Sequence, residues 1–276
     1  MSSTDPSHTE RGAPQPGTGN GQRAKPVIER HQTIVKLVNT FGFMSIEDLA
    51  HRFSLTPQTI RRDINVMAEH GLLQRHHGGA GMRSSVENVA YSTRQVLCLP
   101  EKKRIARQVA ECIPDQASLF INIGTTTEEV ARALLEHHKL RVITNNLNVA
   151  MTLSAKHDFE IIVAGGQVRS RDRGIIGEAT IDFINQFKVD FGIVGISGID
   201  EQGCLLDFDF REVRAARAIM SNSRQIFLAT DHTKFGRNAM VRLGHVSEID
   251  ALFTDRSPPD PLVEIMRKNK VTLHIG

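Results

Sequence analysis

Four side chains that can form specific hydrogen bonds with nucleic-acid bases fall within residues 58–65. They are Gln58, Arg61, Arg62 and Asn65. A guanidinium group can bind guanine through two parallel hydrogen bonds, and the amide of Gln or Asn can bind adenine in the same way. The apolar residues of the same stretch recur at intervals of four and three, and they are Ile60, Ile64 and Met67. This spacing predicts a helix that buries one face and presents the base-reading side chains on the other.

A second group of residues has the chemistry of an anion site. Gly124-Thr125-Thr126 follows a predicted strand over 118–123 and precedes a helical stretch over 128–137. Backbone N–H groups at a helix N-terminus and the Thr hydroxyls can converge on a phosphate. Lys234 follows the turn at Asp231, which ends another predicted strand, and offers a positive charge for the same anion. A helix cap without a ligand would give the same short motif, and Lys234 alone would also suit an exposed loop.

The N-terminal elements that would position the base-reading side chains are three short helices. The pattern predicts a helix over 27–40 that ends at Gly42, and a second over 46–53 with Ser45 as its cap and Asp48 in capping-box position. A third helix begins after Thr56, with Pro57 at its first position, and extends to about residue 70. Two helices joined by a tight turn, with polar side chains near the start of the second, are typical of a helix-turn-helix.

A basic hairpin is expected directly after the third helix. The run Leu72–Ala80 combines an apolar start, the basic residues Arg75, His76 and His77, and a glycine turn. It predicts a β-hairpin wing whose basic residues contact phosphate or the minor groove. We expect no metal site here, because adjacent histidines on a strand point to opposite faces and lack the Cys or acidic ligands that would complete a site.

The charge of the chain is concentrated in the same region. Residues 22–83 contain nine Lys and Arg against five Asp and Glu, whereas residues 84–276 contain 24 of each sign. A local positive excess favours a polyanionic partner, although a solvated basic surface would give the same count.

Composition suggests a tail, two domains and a linker. Residues 1–24 are polar and nearly devoid of apolar side chains, which predicts a disordered tail. We expect a winged helix-turn-helix domain over 25–82, a linker over 83–99 and an α/β domain over 100–276. Apolar β-branched runs predict the strands of this α/β domain at 118–123, 141–144, 159–163, 189–196 and 225–230. Ligands of open α/β sheets bind beyond the carboxyl ends of such strands.

Other classes of protein fit this sequence poorly. The 276 residues contain no apolar run near the ~20 residues of a membrane span, so no membrane partner is expected. Three cysteines, none in a C-x-x-C, and an N-terminus without an apolar signal core predict a cytoplasmic protein.

The N-terminal region resembles the DeoR family of transcriptional regulators. Arg30-x3-Ile34-x3-Val38 and the run from Thr56 through Thr59 to Ile64 match the helix-turn-helix signature of that family at every position. The resemblance covers about residues 28–275. It extends through 120–126, 142–150, 174–180 and 231–240.

The resemblance implies a DNA-binding repressor with a Rossmann-like α/β sensor domain, similar to the ribose-5-phosphate isomerase and CoA-transferase fold group. It implies a phosphorylated effector, glycerol 3-phosphate, with fructose 1-phosphate as an alternative, and no cofactor. Because one winged module covers a half-site, a homo-oligomer, dimer or tetramer, is expected on operator DNA. The expected duplex contacts are Thr56, Gln58, Thr59, Arg61, Arg62, Asn65, Arg75, His76 and His77. The expected effector contacts are Gly124, Thr125, Thr126, Asn145, Gly165, Glu178, Asp200 and Lys234.

An isomerase is the main alternative. The run Ser197–Glu201 partly resembles the acidic loop of those enzymes, but the glycine-rich lysine motif that follows it there is missing. No positioned acid and base pair is evident, so we expect no catalytic residues. Asp207 and Asp209 are expected to form ion pairs rather than a metal site. A DNA-architectural protein would not explain the large α/β domain.

Overall fold

The computed structural model describes residues 21–69, 72–76, 78–81, 88 and 91–276. Residues 1–20 of the predicted tail, His77, and most of residues 82–90 lie outside the described part. The N-terminal elements are α1 (Gly21–Phe41), β1 (Phe43–Ser45), α2 (Ile46–Phe53), α3 (Pro57–Glu69), β2 (Gln74–His76) and β3 (Gly79–Gly81). The three helices and the wing predicted from the sequence are therefore confirmed. α1 begins at Gly21, six residues earlier than expected, so residues 21–24 of the predicted disordered tail belong to this helix.

Local hydrogen bonds set the turn between α2 and α3. The Ser45 hydroxyl accepts a hydrogen bond from the backbone N–H of Asp48 at 3.0 Å, as the capping pattern predicted. Ser54 ends α2 in the left-handed region, with φ of 52°. The Thr56 hydroxyl then accepts from the backbone N–H of Thr59 at 3.2 Å and starts α3. These caps satisfy helix-end groups that would otherwise lack partners.

The three helices pack over a small antiparallel sheet of order β1-β3-β2. The core between them contains side chains predicted from the periodicity of α1 and α3 together with Leu49 of α2. The predicted ones are Ile34, Val38, Ile60, Ile64 and Met67. α1 is 21 residues long. Neither α1 nor any other described helix has the apolar character needed to cross a bilayer.

The predicted linker contains a helix of its own. α4 (Tyr91–Val96) is separated from α5 (Leu99–Glu111) by a turn in which Cys98 adopts a left-handed conformation with φ of 52°. The Lys102 ammonium, buried on α5, donates to the carbonyl of Arg94 on α4 and so joins the two helices. The short, polar sequence of α4 lacks the apolar periodicity from which a helix is predicted, and its formation depends on these tertiary contacts.

The C-terminal domain alternates strands and helices. Its elements after α5 are β4 (Ser118–Ile121), α6 (Thr125–Ala133), β5 (Arg141–Thr144), α7 (Leu147–Leu153), β6 (Glu160–Val163), β7 (Gln167–Arg169), β8 (Gly174–Ile176), α8 (Glu178–Ile184), β9 (Val189–Val194), β10 (Gly198–Ile199), β11 (Cys204–Asp207), α9 (Phe210–Ser221), β12 (Ser223–Ala229), β13 (Val241–His245), β14 (Ala251–Thr254), α10 (Asp260–Lys268) and β15 (Thr272–Ile275). The main sheet has the order β15-β14-β12-β9-β4-β5-β6, and all its pairs are parallel. The predicted α/β fold is confirmed.

Helices cover both faces of this sheet. Leu119 and Ile121 pack on one side with α5, α6 and α7, whereas Phe120 packs on the other with α8, α9 and α10. The strand order reverses between β4 and β9, which are hydrogen-bonded neighbours although they are far apart in sequence. Such a topological switch point leaves a crevice beyond the carboxyl ends of the two strands.

Candidate DNA-reading surface and ligand pocket

The outward face of α3 carries the side chains predicted to read bases. Gln58, Arg61, Arg62 and Asn65 are exposed, whereas Ile60, Ile64 and Met67 are buried. Thr56 is exposed at the start of the helix, and Thr59 is partly buried. The arrangement therefore presents the amide and guanidinium groups to solvent on one side of a helix supported by a packed core.

Asp63 on the same helix has partners on α1 and not on the outward face. Its carboxylate accepts hydrogen bonds from Arg30 Nε at 2.7 Å and Arg30 Nη2 at 3.0 Å, and it lies 3.0 Å from His31 Nε2. Although burial opposes ionisation, these hydrogen bonds hold the pKa of Asp63 below its usual value. The acid nearest in sequence to Arg61 and Arg62 is thus occupied by α1, and this pairing fixes α3 against α1.

The wing faces the C-terminal domain. Gln74, Arg75 and His76 line a cavity of about 470 Å³ whose opposite wall includes Asp200 and Glu201. Arg75 is exposed, but the His76 ring lies 6.1 Å from the Phe43 ring and hydrogen-bonds the backbone of Gly236, and burial lowers its pKa. The structure therefore places His76 at the contact between the wing and the C-terminal domain. The expectation for His77 lies outside the described residues.

The crevice at the switch point contains a pocket that is formed by the segments after β4 and β9. It is lined by residues that follow β4 and β9 together with charged residues from other elements, namely Arg94, Ile123, Gly124, Thr125, Thr126, Gly195, Ile196, Ser197, Asp207, Glu212, Lys234 and Arg237. We call it the switch-point pocket. Four of the predicted effector contacts, Gly124, Thr125, Thr126 and Lys234, lie in it together.

The N-terminus of α6 opens into the switch-point pocket. Gly124 precedes the helix with φ of 152°, a conformation that L side chains rarely adopt. Thr127 Oγ1 donates to the carbonyls of Asn122 at 2.7 Å and Gly124 at 2.8 Å and so holds the turn. The backbone N–H groups of Thr125 and Thr126 belong to the first turn, where a helix has no internal acceptors, and they favour an anion.

Two buried cations line the same pocket. Lys234 is 9% exposed and Arg237 is 5% exposed. Burial lowers the pKa of Lys234 to about 8, against the opposing charge of Asp231. Burial and the charge of Arg94 lower the pKa of Arg237 to about 10. Both groups are cationic at neutral pH and incompletely compensated, which suits a bound phosphate.

Two carboxyl groups complete the lining. Asp207 accepts hydrogen bonds from the Ser197 hydroxyl at 3.1 Å and the Phe208 N–H at 2.6 Å, and burial raises its pKa. Glu212 lies 2.6 Å from Arg169 Nη2, and burial followed by the charge of Asp207 raises its pKa. Such groups can bind ligand hydroxyls. Asp209 forms the ion pair predicted for it, with 2.8 Å between Arg169 Nη1 and Asp209 Oδ2. Asp207, for which an ion pair is also predicted, is instead hydrogen-bonded to Ser197 and Phe208.

The other four predicted effector contacts lie outside the lining of the switch-point pocket. The Asn145 amide donates to the Ile175 carbonyl at 3.1 Å, and the Gly165 carbonyl accepts from the Thr180 hydroxyl at 2.8 Å. Glu178 is ion-paired with Arg214. Asp200 accepts from the backbone N–H groups of Gln202 and Cys204 at 3.0 and 2.8 Å and lines the wing cavity. These groups stabilise turns and neighbouring elements. Their positions after strands, from which effector contacts were predicted, do not reveal these partners.

Sequence reasoning missed Arg94, Arg237 and Glu212. Arg237 lies three residues after Lys234, but residues 235–237 are not helical, so no regular spacing points from one cation to the other. Arg94 lies in the predicted linker and Glu212 follows β11, and no local pattern points from either residue to the pocket.

Comparisons with known proteins agree with both domains. Residues 30–86 match the DeoR-like helix-turn-helix domain, and residues 98–256 match the DeoR C terminal sensor domain. The chain is 55% identical over 247 residues to the glycerol-3-phosphate regulon repressor of Escherichia coli, covering 90% of this chain and 98% of that protein. It is 52% identical to the protein of the same name from Haemophilus influenzae, covering 88% and 95%.

More distant matches were also found. The HTH-type transcriptional repressor CsqR of Escherichia coli is 43% identical, covering 88% of this chain and 94% of that protein. A ribose 5-phosphate isomerase structure from Methanocaldococcus jannaschii matches with a TM-score of 0.37 and 13% identity, covering 50% of this chain and 55% of that one. With both of its domains matched and a relative that is 55% identical over nearly its full length, the chain belongs to the DeoR family.

Proposed function

We propose that this protein is a transcriptional repressor that binds operator DNA through α3 and Arg75 of the wing. We further propose that glycerol 3-phosphate, bound in the switch-point pocket, releases it. The exposed amide and guanidinium groups of α3 support the first part. The relatives that are 55% and 52% identical are both named glycerol-3-phosphate regulon repressors. Their names support genes of glycerol 3-phosphate metabolism as the targets and glycerol 3-phosphate as the ligand.

The observation that carries the ligand assignment is the convergence of unlike anion-binding groups. The N-terminus of α6 and the pair of cations Lys234 and Arg237 come from separate parts of the chain and line one pocket at the switch point. A phosphate monoester carries about two negative charges at neutral pH, which these donors would compensate. Asp207 and Glu212 lie in the same pocket and would accept hydrogen bonds from the two hydroxyls of glycerol 3-phosphate.

The protein acts as a homo-oligomer in this proposal. One helix-turn-helix reads one half-site, and operators with two half-sites need two such domains at a fixed separation. A ligand that prefers an arrangement with a different separation lowers operator affinity by linkage.

Calorimetric titration tests the ligand assignment. The full chain is titrated with glycerol 3-phosphate, fructose 1-phosphate and glycerol, and the Lys234→Ala variant is titrated in parallel. The proposal predicts that glycerol 3-phosphate binds most tightly, that glycerol fails to bind, and that the variant loses at least tenfold in affinity. Tighter binding of fructose 1-phosphate would mean that the protein responds to a different sugar phosphate. Turnover of fructose 1-phosphate would instead favour an isomerase.

A further inference from the structure

The segment that joins the two domains reaches the switch-point pocket. Residues 87–97 lie between the helix-turn-helix match, which ends at 86, and the sensor match, which begins at 98. Within this segment, Arg94 lines the pocket beside Lys234 and Arg237. Asn88 contacts two of the residues that line the pocket: its amide donates to the Ser197 hydroxyl at 3.2 Å, and its carbonyl oxygen accepts from Arg237 Nη2 at 3.0 Å.

Contacts on α4 and around it hold Arg94 at the pocket. The Arg94 guanidinium lies 5.7 Å from the centroid of the Tyr91 ring, and the Tyr91 hydroxyl donates to Glu128 Oε2 at 2.9 Å in the first turn of α6. Lys102 fixes the Arg94 backbone carbonyl. The guanidinium is thereby placed next to the helix N-terminus that would receive the phosphate.

Arg94 also lies near the carboxylate of Asp172. The distance from Arg94 Nη2 to Asp172 Oδ2 is 3.7 Å, which is longer than a hydrogen bond. Arg169 already binds both oxygens of Asp172, at 2.8 and 2.6 Å. Arg169 is therefore the closer cation to that carboxylate, while Arg94 also lines the pocket.

The charges of the pocket favour a role in ligand binding. Arg94 adds a third cation to Lys234 and Arg237, against Asp207 and Glu212. Burial disfavours ionisation of both carboxyl groups, so they compensate the three cations less than two surface carboxylates would. A guanidinium can bind two oxygens of one phosphate, which a Lys cannot do with the same geometry.

We propose that the described part of the interdomain segment, Asn88 and α4, forms one wall of the phosphate site, with Arg94 as a direct ligand and Asn88 positioning Arg237, so that effector binding acts on this segment directly. This inference rests on the proposed function. It deepens that proposal, because the segment that receives the ligand is the same one that leads to the wing and helix α3. The affinity of the sensor domain for its effector then depends on the segment that precedes it.

Calorimetry on the full chain tests this assignment with glycerol 3-phosphate and inorganic phosphate as probes. Arg94→Gln is expected to weaken both at least tenfold, and Arg94→Lys to recover part of the loss. Arg107→Gln, at an exposed position on α5, is the matched control and should leave both affinities unchanged. Without ligand, operator affinity of Arg94→Gln should match that of the unaltered protein. Equal affinities for Arg94→Gln and the unaltered chain would overturn the inference and leave the proposed function standing.

Hydrogen exchange on the unaltered chain gives a second measurement that needs no variant. Saturating glycerol 3-phosphate should slow amide exchange in residues 91–97 as well as in the first turn of α6. Slower exchange in α6 alone would overturn the inference. An unaltered chain that binds neither phosphate would overturn the proposed function and the inference with it.

Discussion

His232 of the C-terminal domain contacts Asp48 of helix α2, with 3.4 Å between Nε2 and Oδ2. The other ring nitrogen, Nδ1, lies 2.6 Å from Asp255 Oδ2, and Arg256 Nη2 lies 3.6 Å from Asp48 Oδ1. His232 begins the short 3-10 turn His232–Lys234, whose last residue enters the switch-point pocket. One turn of three residues thus contacts the helix-turn-helix domain at one end and the switch-point pocket at the other.

This contact predicts that His232→Gln separates ligand binding from release. The variant should bind operator and glycerol 3-phosphate as the unaltered protein does, because His232 is outside the pocket lining. The rise in operator Kd caused by saturating ligand should shrink by roughly fivefold or more, a change within the usual range of coupling energies. Fluorescence anisotropy with labelled operator measures it. His274→Gln, on β15, is the control, and an unchanged response in His232→Gln would exclude the contact from the coupling path.

The pKa of His232 predicts a pH dependence of stability. Burial opposes its protonation, but hydrogen bonds to Asp255 and Asp48 outweigh burial and raise its pKa from 6.5 to about 9. The stabilisation is complete below pH 6.5 and is lost as pH rises towards 9, because the folded state holds a proton that the unfolded state has released. Between pH 6.5 and 8 the free energy of unfolding should fall by up to roughly 1.4 kcal/mol per pH unit.

Urea unfolding of the unaltered chain and of His232→Gln over this range measures the effect. The range stops at pH 8 because Lys234, whose pKa is lowered from 10.5 to about 8, contributes with the opposite sign above it. The variant should lack the decline that the unaltered chain shows. Parallel curves for the two proteins would mean that His232 gains no proton on folding.

Lys234 predicts how ligand affinity varies with pH. With its pKa near 8, it is losing its proton just where a phosphate needs it charged, so binding at pH 8 takes up a proton. Affinity for glycerol 3-phosphate should fall by up to about tenfold per unit above pH 8. Lys234→Arg stays charged and should remove the decline. Calorimetric titrations in buffers of different ionisation enthalpy detect the proton uptake. If the unaltered chain takes up no proton on binding glycerol 3-phosphate at pH 8, Lys234 does not contact the phosphate.

The exposed face of α3 predicts the effect of Arg61→Ala on sequence recognition. Loss of a guanidinium that reads a base pair costs about 1–3 kcal/mol of discrimination at that position and less at other positions. Competition binding with single-base operator variants measures this loss. Arg107→Ala, in the sensor domain, serves as the control. If all operator variants weaken equally on Arg61→Ala, the residue contacts phosphate and not a base.

The core of the N-terminal domain predicts a stability change confined to that domain. Ile64 is 1% exposed among residues of α1, α2 and α3, and truncation to Ala should cost about 2–5 kcal/mol. The sensor core consists of other residues, so Ile64→Ala should lose operator binding before it loses ligand binding. Calorimetric titration with glycerol 3-phosphate and operator anisotropy, both as a function of temperature, separate the two. Simultaneous loss of both activities would show a single cooperative unit.

Local sequence signals were enough to place the helix-turn-helix and half of the predicted pocket. Ser45, Thr56 and Pro57 fix helix boundaries through contacts within a few residues, and the Gly124 turn is a strand-to-helix signal. Such short-range features can be recognised from the sequence because they depend on neighbouring residues and little on the rest of the fold.

Long-range placement was beyond those signals. Glu178 and Asp200 follow strands or turns, as the pocket residues Gly124 and Lys234 do. Glu178 nevertheless pairs with Arg214, and Asp200 accepts hydrogen bonds from backbone N–H groups of its own turn. Arg94 has no motif, and it reaches the pocket only because α4 packs beside α6. Which strand-end residues meet is decided by strand order, and no local spacing encodes that order.

A reciprocal binding measurement shows whether operator and glycerol 3-phosphate oppose each other's binding to this protein. Operator Kd is measured with and without saturating glycerol 3-phosphate, and the Kd of glycerol 3-phosphate is measured with the protein unbound and bound to operator. Linkage requires that both constants rise by the same factor, for which we expect roughly 5- to 150-fold. An operator Kd that glycerol 3-phosphate leaves unchanged, with the ligand shown to be bound, would contradict the account.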